Sequence, residues 1–164
     1  MSVQKKYTIS VLVQNESGVL TRIAGMFSRR GFNIESLAVG TSEKPGLSRM
    51  TIVALADEDE IQQIQKQLEK LIDVLDVQSL DSIPFVDREL ILIQVSANAQ
   101  TRLEISQIVE LFRGRVVDVS TESLIIEVTG DQGKLVAIVE LLKKFNIMAI
   151  CRTGQIALPR GSKD

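Results

Sequence analysis

The 164-residue sequence contains no histidine and only one cysteine, Cys151. Without histidine, the chain lacks the side chain that most often acts as a general base at neutral pH and that most often binds metals. A lone cysteine cannot form an internal disulfide, which fits a reducing compartment. We therefore expect neither catalytic residues nor a metal site in this chain.

Long apolar runs and targeting segments are also missing. No segment approaches the roughly 18 apolar residues that a membrane-spanning helix needs. The N-terminal residues lead directly into a strand-like pattern, with no signal or transit peptide before it. The expectation is a cytoplasmic protein that makes no contact with a membrane.

Neither sign of charge dominates the chain. It carries 19 basic and 21 acidic side chains, a net charge of −2, and the two halves are similarly balanced. Non-specific binding to phosphates requires a basic excess, so we expect no nucleic-acid binding. The apolar fraction of 45% is that of a folded globular protein.

Hydrophobic periodicity predicts the same order of elements twice. In the first half, alternation over residues 7–14 predicts a strand, and spacing of i, i+3, i+4 and i+7 over residues 20–27 predicts a helix. The remaining elements of this half are strands over 33–41, 48–56 and 73–79 and a helix with its apolar stripe over 61–71. The second half repeats this βαββαβ order with strands over 89–96, 115–119, 123–129 and 147–152 and helices over 105–112 and 135–142. Residues 154–158 are predicted to extend the last strand.

Two consecutive βαββαβ units predict an α+β protein with two ferredoxin-like domains, each a four-stranded antiparallel sheet with two helices on one face. The predicted divisions are a first domain over residues 1–80, a linker over 81–87 that contains Pro84, and a second domain over 88–164. Leu12, Leu37 and Val39 are predicted to lie on faces that their own helices do not cover. We expect a second copy of the chain to cover them, which makes the protein a homodimer.

Three smaller features have ordinary structural interpretations. Asp57 with Glu60 predicts a capping box at the start of the second helix, in preference to a cation site. Cys151 is predicted to be a packed thiol in an apolar strand. Gly114, between two arginines, is predicted to end a helix, with contact to a partner protein as the alternative.

The turn after the first strand is the strongest candidate for a ligand site. A helix N-terminus presents free N–H groups that suit a carboxylate, and Gly18 lets a ligand approach the backbone. The Asn15 amide can accept from an ammonium group and donate to a carboxylate. These groups suit a free α-amino acid, whose apolar side chain can lie against Val19, Leu20 and Ile34. The tetrapeptide Asn-Glu-Ser-Gly at 15–18 also fits an Asx turn that only starts a helix. By itself it leaves both interpretations open.

A wider segment adds a family resemblance. Residues 15–37, which begin Asn-Glu-Ser-Gly-Val-Leu, resemble the signature of an ACT domain, and specifically that of the regulatory small subunits of acetohydroxyacid synthase, also called acetolactate synthase. Ser-Arg-Met-Thr at 48–51, Phe-Arg-Gly at 112–114 and the segment 152–161 are similar to the same family. The resemblance extends from residue 7 to residue 161. It implies that the first domain is an ACT domain and that the chain is a non-catalytic subunit in branched-chain amino acid biosynthesis.

The resemblance also implies a mechanism and partners. The small subunit would activate a large catalytic subunit and would pass on feedback inhibition by valine, or another branched-chain amino acid, bound between the ACT domains of a homodimer. The residues implied for that site are Asn15, Gly18, Val19 and Leu20 of one chain and Asn33 and Ile34 of the other. Thiamine diphosphate, Mg²⁺ and FAD would belong to the catalytic subunit, with no cofactor in this chain.

Two other classes of function use the same fold. RNA-binding modules stack bases on aromatic residues of the two central strands, where this sequence carries only Tyr7, at a strand end. A small enzyme would need a convergent set of acid, base or nucleophilic groups that the sequence does not offer. Both alternatives therefore rank below the regulatory subunit.

Overall fold

The computed structural model describes residues 2–161, which form two compact units. The first unit consists of the residues up to Val86 together with those from Gln155 onward, and the second consists of Asp87–Gly154. Each unit contains a βαββαβ series with an antiparallel sheet. The predicted α+β fold with two ferredoxin-like units is confirmed.

The first unit has a four-stranded sheet in the order β2-β3-β1-β4, so β2 and β4 are its edges. All of its neighbouring strands are antiparallel. Its elements are β1 (Lys5–Gln14), α1 (Val19–Arg29), β2 (Asn33–Thr41), β3 (Leu47–Ala56), α2 (Glu58–Glu69) and β4 (Val74–Ser79). Alternate residues of the central strands, including Ile9, Val11 and Ile52, pack with apolar residues of both helices in one buried core.

The second unit repeats this arrangement with the order β6-β7-β5-β8. Its elements are β5 (Phe85–Ser96), α3 (Arg102–Leu111), β6 (Arg115–Val119), β7 (Ser123–Gly130), α4 (Gln132–Leu142) and β8 (Ile147–Arg152). One turn of 3-10 helix, Lys143–Phe145, follows α4. Ile93, Ile126 and Ile138 lie in a core that is separate from that of the first unit. No helix within residues 2–161 is both long enough and apolar enough to cross a membrane.

Residues 81–86 of the predicted linker are part of the first unit, and Asp87 begins the second. Leu80 is fully buried, and the Asp81 carboxylate accepts a hydrogen bond of 2.7 Å from the backbone N–H of Thr8. β5 begins at Phe85, inside the predicted linker. The boundary between the units therefore falls at residue 86, because a buried leucine and a strand outweigh the local effect of Pro84.

The C-terminal segment also differs from the prediction. Residues after Gly154 do not extend β8, since Gly154 has a φ of +85° and turns the chain away. They form β9 (Ile156–Pro159), which contacts β1 and β3 and pairs with β5, whose first two residues belong to the first unit. The Gln155 N–H donates to Ser36 Oγ at 2.8 Å. We call residues 155–161 the tail.

The tail lies on the face of the first sheet that is opposite to the helices. Ser36 is paired with Val53, which alternates with the core-facing Ile52, so the Ser36–Gln155 contact is on that opposite face. Ala157 of the tail is buried, and β9 contacts β1 and β3. This part of the sheet is therefore covered by the chain's own C-terminal residues.

The prediction that Leu12 and Leu37 lie on faces that the chain itself leaves uncovered is wrong. Leu12 is buried within the chain itself, and Leu37 packs against the core on the helix side. A bulge between Ile34 and Ser36 shifts the register of β2 by one residue, and such a shift moves every following side chain to the other face. Val39 is half exposed on the helix side, opposite Met50.

Helix ends follow the predicted chemistry with one exception. Asp57 and Glu60 form the predicted capping box, and Asp131 accepts from the N–H of Lys134 at the start of α4. After α3 the left-handed residue is Arg113, with a φ of 54°, and not Gly114. Gly114 is instead needed for space, because a Cβ there would lie 2.8 Å from a Val128 methyl group.

Cys151 is exposed and is not the packed thiol that the sequence predicts. In β8 it is paired with Leu92, which alternates with the buried Ile91 and Ile93 of β5. The thiol therefore lies on the sheet face opposite to the helices. The apolar neighbours of Cys151 in the sequence did not distinguish the two faces of this strand.

Candidate functional site

Among the residues that the structure describes, no side chain caps the N-terminus of α1. Its N-cap residue is Gly18, with a left-handed φ of 87°, and no acidic residue lies in its first turn. In contrast, α2 and α4 each begin with an aspartate whose carboxylate accepts a backbone N–H. The first-turn N–H groups of α1 carry the partial positive charge of the helix dipole, and an anion can bind them.

The corresponding turn of the second unit satisfies its own N–H groups. There the Asn98 side chain accepts from the backbone N–H of Gln100 at 2.9 Å and of Thr101 at 3.0 Å, which is an Asx turn before α3. At Asn15 no such turn forms. Its backbone N–H donates to Gly46, and within residues 2–161 its exposed amide has no hydrogen-bond partner. Of the two interpretations of the first turn, the Asx turn is therefore not adopted.

A charged pair lies beside this helix end. Arg22 Nε donates to Asp73 Oδ2 at 2.5 Å, and the Asp73 side chain is only 11% exposed. Asp73 is held in turn by its backbone carbonyl, which accepts from the N–H of Gln14. The hydrogen bond to Asp73 raises the pKa of the Arg22 guanidinium, so Arg22 remains charged.

The predicted apolar residues differ in what they can contact. The Val19 side chain is 3% exposed and belongs to the core, so only its backbone is available to a ligand. Leu20 is 46% exposed beside the open helix end. Ile34 is partly buried against the core of the first unit.

Asn33 and Ile34 do not lie near the other predicted residues of the same chain. The register places Asn33 opposite Leu55, which is opposite Lys6, whereas Gln14 is at the other end of β1. Eight residues of strand separate these levels, or roughly 26 Å at about 3.3 Å per residue. A single chain therefore does not bring the two groups of predicted site residues together.

Other candidate sites lose support. Tyr7 is buried in the core, so its ring is not available to stack on a base. Asp57 and Glu60 are used by the capping box. Within residues 2–161 no group of three His, Cys, Asp or Glu side chains is placed to hold a metal ion.

Sequence reasoning missed Arg22 and Asp73. Arg22 could have been found, because it is four residues after Gly18 and shares its helix face. No local pattern connects Asp73, which is 51 residues away from Arg22.

Comparison with known proteins agrees with this architecture. Residues 9–76 match the family described as the AHAS small subunit-like ACT domain. Residues 88–161 match the family described as the small subunit of acetolactate synthase. A protein of Archaeoglobus fulgidus named "Probable acetolactate synthase small subunit" is 51% identical over 158 residues, which cover 96% of this chain and 99% of that relative. The chain belongs to the acetolactate synthase small-subunit family.

Other members of the acetolactate synthase small-subunit family are similarly close. The acetolactate synthase small subunit of Mycobacterium bovis is 50% identical over 159 residues, covering 97% of this chain and 95% of that one. The crystal structure of the small subunit from Thermotoga maritima matches with a TM-score of 0.89 and 42% identity over 97% of this chain and 99% of that one. The predicted family and its ACT domain are therefore confirmed.

Proposed function

We propose that this chain is the regulatory subunit of acetolactate synthase and that it binds valine, or another branched-chain amino acid, between two ACT domains. It performs no chemistry itself and acts in the cytoplasm. It activates a large catalytic subunit, which holds thiamine diphosphate, Mg²⁺ and FAD. Bound valine then inhibits the pathway by which it is made. The observation that carries the ligand site is the uncapped N-terminus of α1 beside an unpartnered Asn15 amide in a small-subunit ACT domain.

The groups at this helix end match the two charged ends of an amino acid. The backbone N–H groups of Gly18, Val19 and Leu20 bind the carboxylate. Asn15 orients the ammonium group from one chain, and Asn33 does so from the other. The exposed Leu20 and the partner's Ile34 contact the aliphatic side chain.

The distance between the two groups of predicted site residues within one chain supports a site that two chains share. β2 is an edge strand, and within residues 2–161 no other strand pairs with its outer side. If the β2 strands of two copies pair antiparallel about Leu37, the partner's Asn33 lies opposite Thr41. Thr41 is itself opposite Ser48, at the end of the sheet where Asn15 and Gly18 lie. Such pairing also removes the unpaired strand edge.

Binding across an interface also provides a means of regulation. A ligand shifts a conformational equilibrium only when it binds one state better than another. Because valine would contact two chains, its affinity depends on how those chains are placed. Discrimination among aliphatic amino acids is expected to be modest, since one methylene is worth about 1–3 kcal/mol.

The test is calorimetric titration of the full chain with valine, isoleucine and leucine, with glutamate as a control. We expect saturable valine binding near one ligand per chain, and a dimer by sedimentation. A folded chain that binds none of the three would contradict the proposal, as would a monomer at saturating valine.

The variant Gly18→Asp places a carboxylate where the ligand carboxylate binds. A Cβ at residue 18 lies 2.8 Å from Arg22 Nη1, so the new carboxylate is also placed to pair with Arg22. Acetolactate synthase reconstituted with this variant is expected to be active but resistant to valine. Gln132→Asp, which adds a carboxylate to the first turn of α4, is the matched control. Full valine sensitivity of the Gly18→Asp enzyme would refute the site.

A further inference from the structure

The ion pair between Arg22 and Asp73 joins the start of α1 to the turn between α2 and β4. Its Nε–Oδ2 distance is 2.5 Å, and the carboxylate is nearly buried whereas the arginine side chain is 47% exposed. Asp73 is fixed at its backbone by the hydrogen bond from Gln14, and Val74 begins β4 directly after it. Arg22 is therefore held on one side by Asp73, whose own position is fixed by its backbone hydrogen bond.

The ion pair with Asp73 places the guanidinium of Arg22 over Gly18, the N-cap of α1. Arg22 Nη1 is 2.8 Å from the position of a Cβ at Gly18, and Nη2 is 3.9 Å from it. Glycine at residue 18 leaves the space that the guanidinium of Arg22 occupies, because any other residue would place a Cβ there. Gly18 thus has two functions: it adopts the left-handed turn, and it leaves room for Arg22.

Most of the donors of Arg22 remain available. Only Nε donates to Asp73, and within residues 2–161 neither Nη1 nor Nη2 has an acceptor. A cation near the positive end of a helix dipole is unfavourable unless an anion accompanies it. Asp73 is the acid that pairs with the guanidinium, and Glu16 acts on it only through space. Because the helix end adds further positive charge, a bound anion at this place is favoured.

We propose that Arg22 binds the carboxylate of the amino-acid effector and that Asp73 is a positioning residue that holds Arg22 in place. The inference rests on the proposed function and adds a specificity-determining side chain to its site. A guanidinium can donate two parallel hydrogen bonds to a carboxylate, which a neutral amide does not reproduce. Arg22 should therefore make the site select free amino acids over their amides.

The test is calorimetry on the full chain with two probes, valine and valinamide. Arg22→Gln is expected to weaken valine binding by roughly tenfold to a hundredfold, because a charge-assisted hydrogen bond is lost. It should weaken valinamide much less, so the preference for valine over valinamide shrinks. Lys66→Gln, which removes a positive charge from α2 of the same unit, is the matched control and should change neither affinity.

Two further variants separate contact from positioning. Arg22→Lys keeps the charge but not the planar pair of donors, and it should show intermediate valine affinity with part of the preference retained. Asp73→Asn leaves Arg22 charged but loosely held, and its effect should be smaller than that of Arg22→Gln. In the double variant the two effects should not add, because both act through the same guanidinium.

The outcomes distinguish the two proposals. If the wild-type chain binds no branched-chain amino acid, the proposed function fails and this inference fails with it. If the wild type binds valine but Arg22→Gln keeps the same affinity and preference, the inference alone is overturned. Equal weakening of both probes would also overturn it, since a purely structural role of Arg22 predicts that result. Circular dichroism and the Arg22→Lys variant guard against a fold defect.

Discussion

Gly18 and Arg22 are one helical turn apart. Any side chain introduced at residue 18 therefore strains the backbone there and also displaces the guanidinium of Arg22. The left-handed φ of 87° disfavours a Cβ, and the guanidinium of Arg22 already lies 2.8 Å from where that atom would be. Gly31, at the other end of the same helix, has a φ of 69°, but no atom of residues 2–161 lies within 4 Å of its Cβ position. The two glycines therefore separate backbone strain from side-chain displacement.

We predict that Gly31→Ala lowers the free energy of unfolding by about 1–2 kcal/mol through backbone strain alone. Gly18→Ala should cost more than Gly31→Ala, because it also moves Arg22 off Asp73. Chemical denaturation of the two variants measures the difference. Adding Arg22→Gln to Gly18→Ala should remove the extra loss. If Gly18→Ala costs no more than Gly31→Ala, the contact with Arg22 has no energetic weight.

For individual residues, the sequence predicts side-chain chemistry well and side-chain burial poorly. Asn15 and Gly18 could be chosen because their types and spacing suit a ligand turn. The burial of Val19 depends on which helix residues face the sheet, and adjacent residues 19 and 20 have opposite exposure. Asp73 could not be found, because its partner becomes a neighbour only after two helices and three strands have packed.

The starts of helices show how local sequence determines an element. The capping box of α2 places the Asp57 carboxylate on the N–H of Glu60, while the Glu60 side chain accepts from the N–H of Asp57. The hydrogen bond from Glu60 lowers the pKa of Asp57 below its ordinary value of 3.8. Both partners are within four residues, so the pattern could be predicted without the fold.

We predict that Asp57→Ala lowers the melting temperature by about 3–6 °C at neutral pH. Because the pKa of Asp57 is lower in the folded state, its contribution is complete above its ordinary pKa. The contribution is lost as the pH falls through the folded value. Thermal unfolding from pH 7 to pH 2 should show wild type and variant converge in acid. Asp59→Ala, in the same helical turn but outside the box, should change the melting temperature much less.

The strand β2 shows where local patterns fail. Its ends agree with the prediction at both Asn33 and Thr41. Its bulge after Ile34 has no clear signal in the sequence, yet it decides the face on which Leu37 lies. A pattern of period two predicts that a strand exists, whereas the register depends on the neighbouring strand β3.

For the molecule as a whole, the repeated order of elements was sufficient to predict two ferredoxin-like units. The path of the tail was not predictable. Residues 156–158 are extended in either interpretation, and only long-range contacts of the tail with Ser36 and Pro84 assign the segment to the first unit. The local pattern carries no information about which of two sheets an extended segment joins.

The contribution of the tail to the stability of the first unit can be tested by substitution. Ala157 is 5% exposed on the first sheet, whereas the next residue, Leu158, is 59% exposed. Ala157→Asp would bury a charge, and we predict that it destabilises the first unit by about 1–3 kcal/mol. Leu158→Asp is the matched control and should be nearly neutral.

Hydrogen exchange detected by mass spectrometry locates the effect of Ala157→Asp. Peptides from β1 and β3 should exchange faster, while peptides from β7 in the second unit should not change. Equal acceleration in β7, or an equal effect of Leu158→Asp, would show that the tail does not specifically stabilise the first sheet.

The tail also determines when the first unit can be completed during synthesis. A chain grows from its N-terminus, and domains generally fold as units as they emerge. The residues of β1 and β3 are made early, whereas β9 is made only after the whole second unit. All of the second unit is synthesised in between, and until β9 is made the first sheet lacks the tail on the face opposite to its helices. Only a chain translated through β9 can therefore complete its first unit, so termination before Ile156 would leave that unit incomplete.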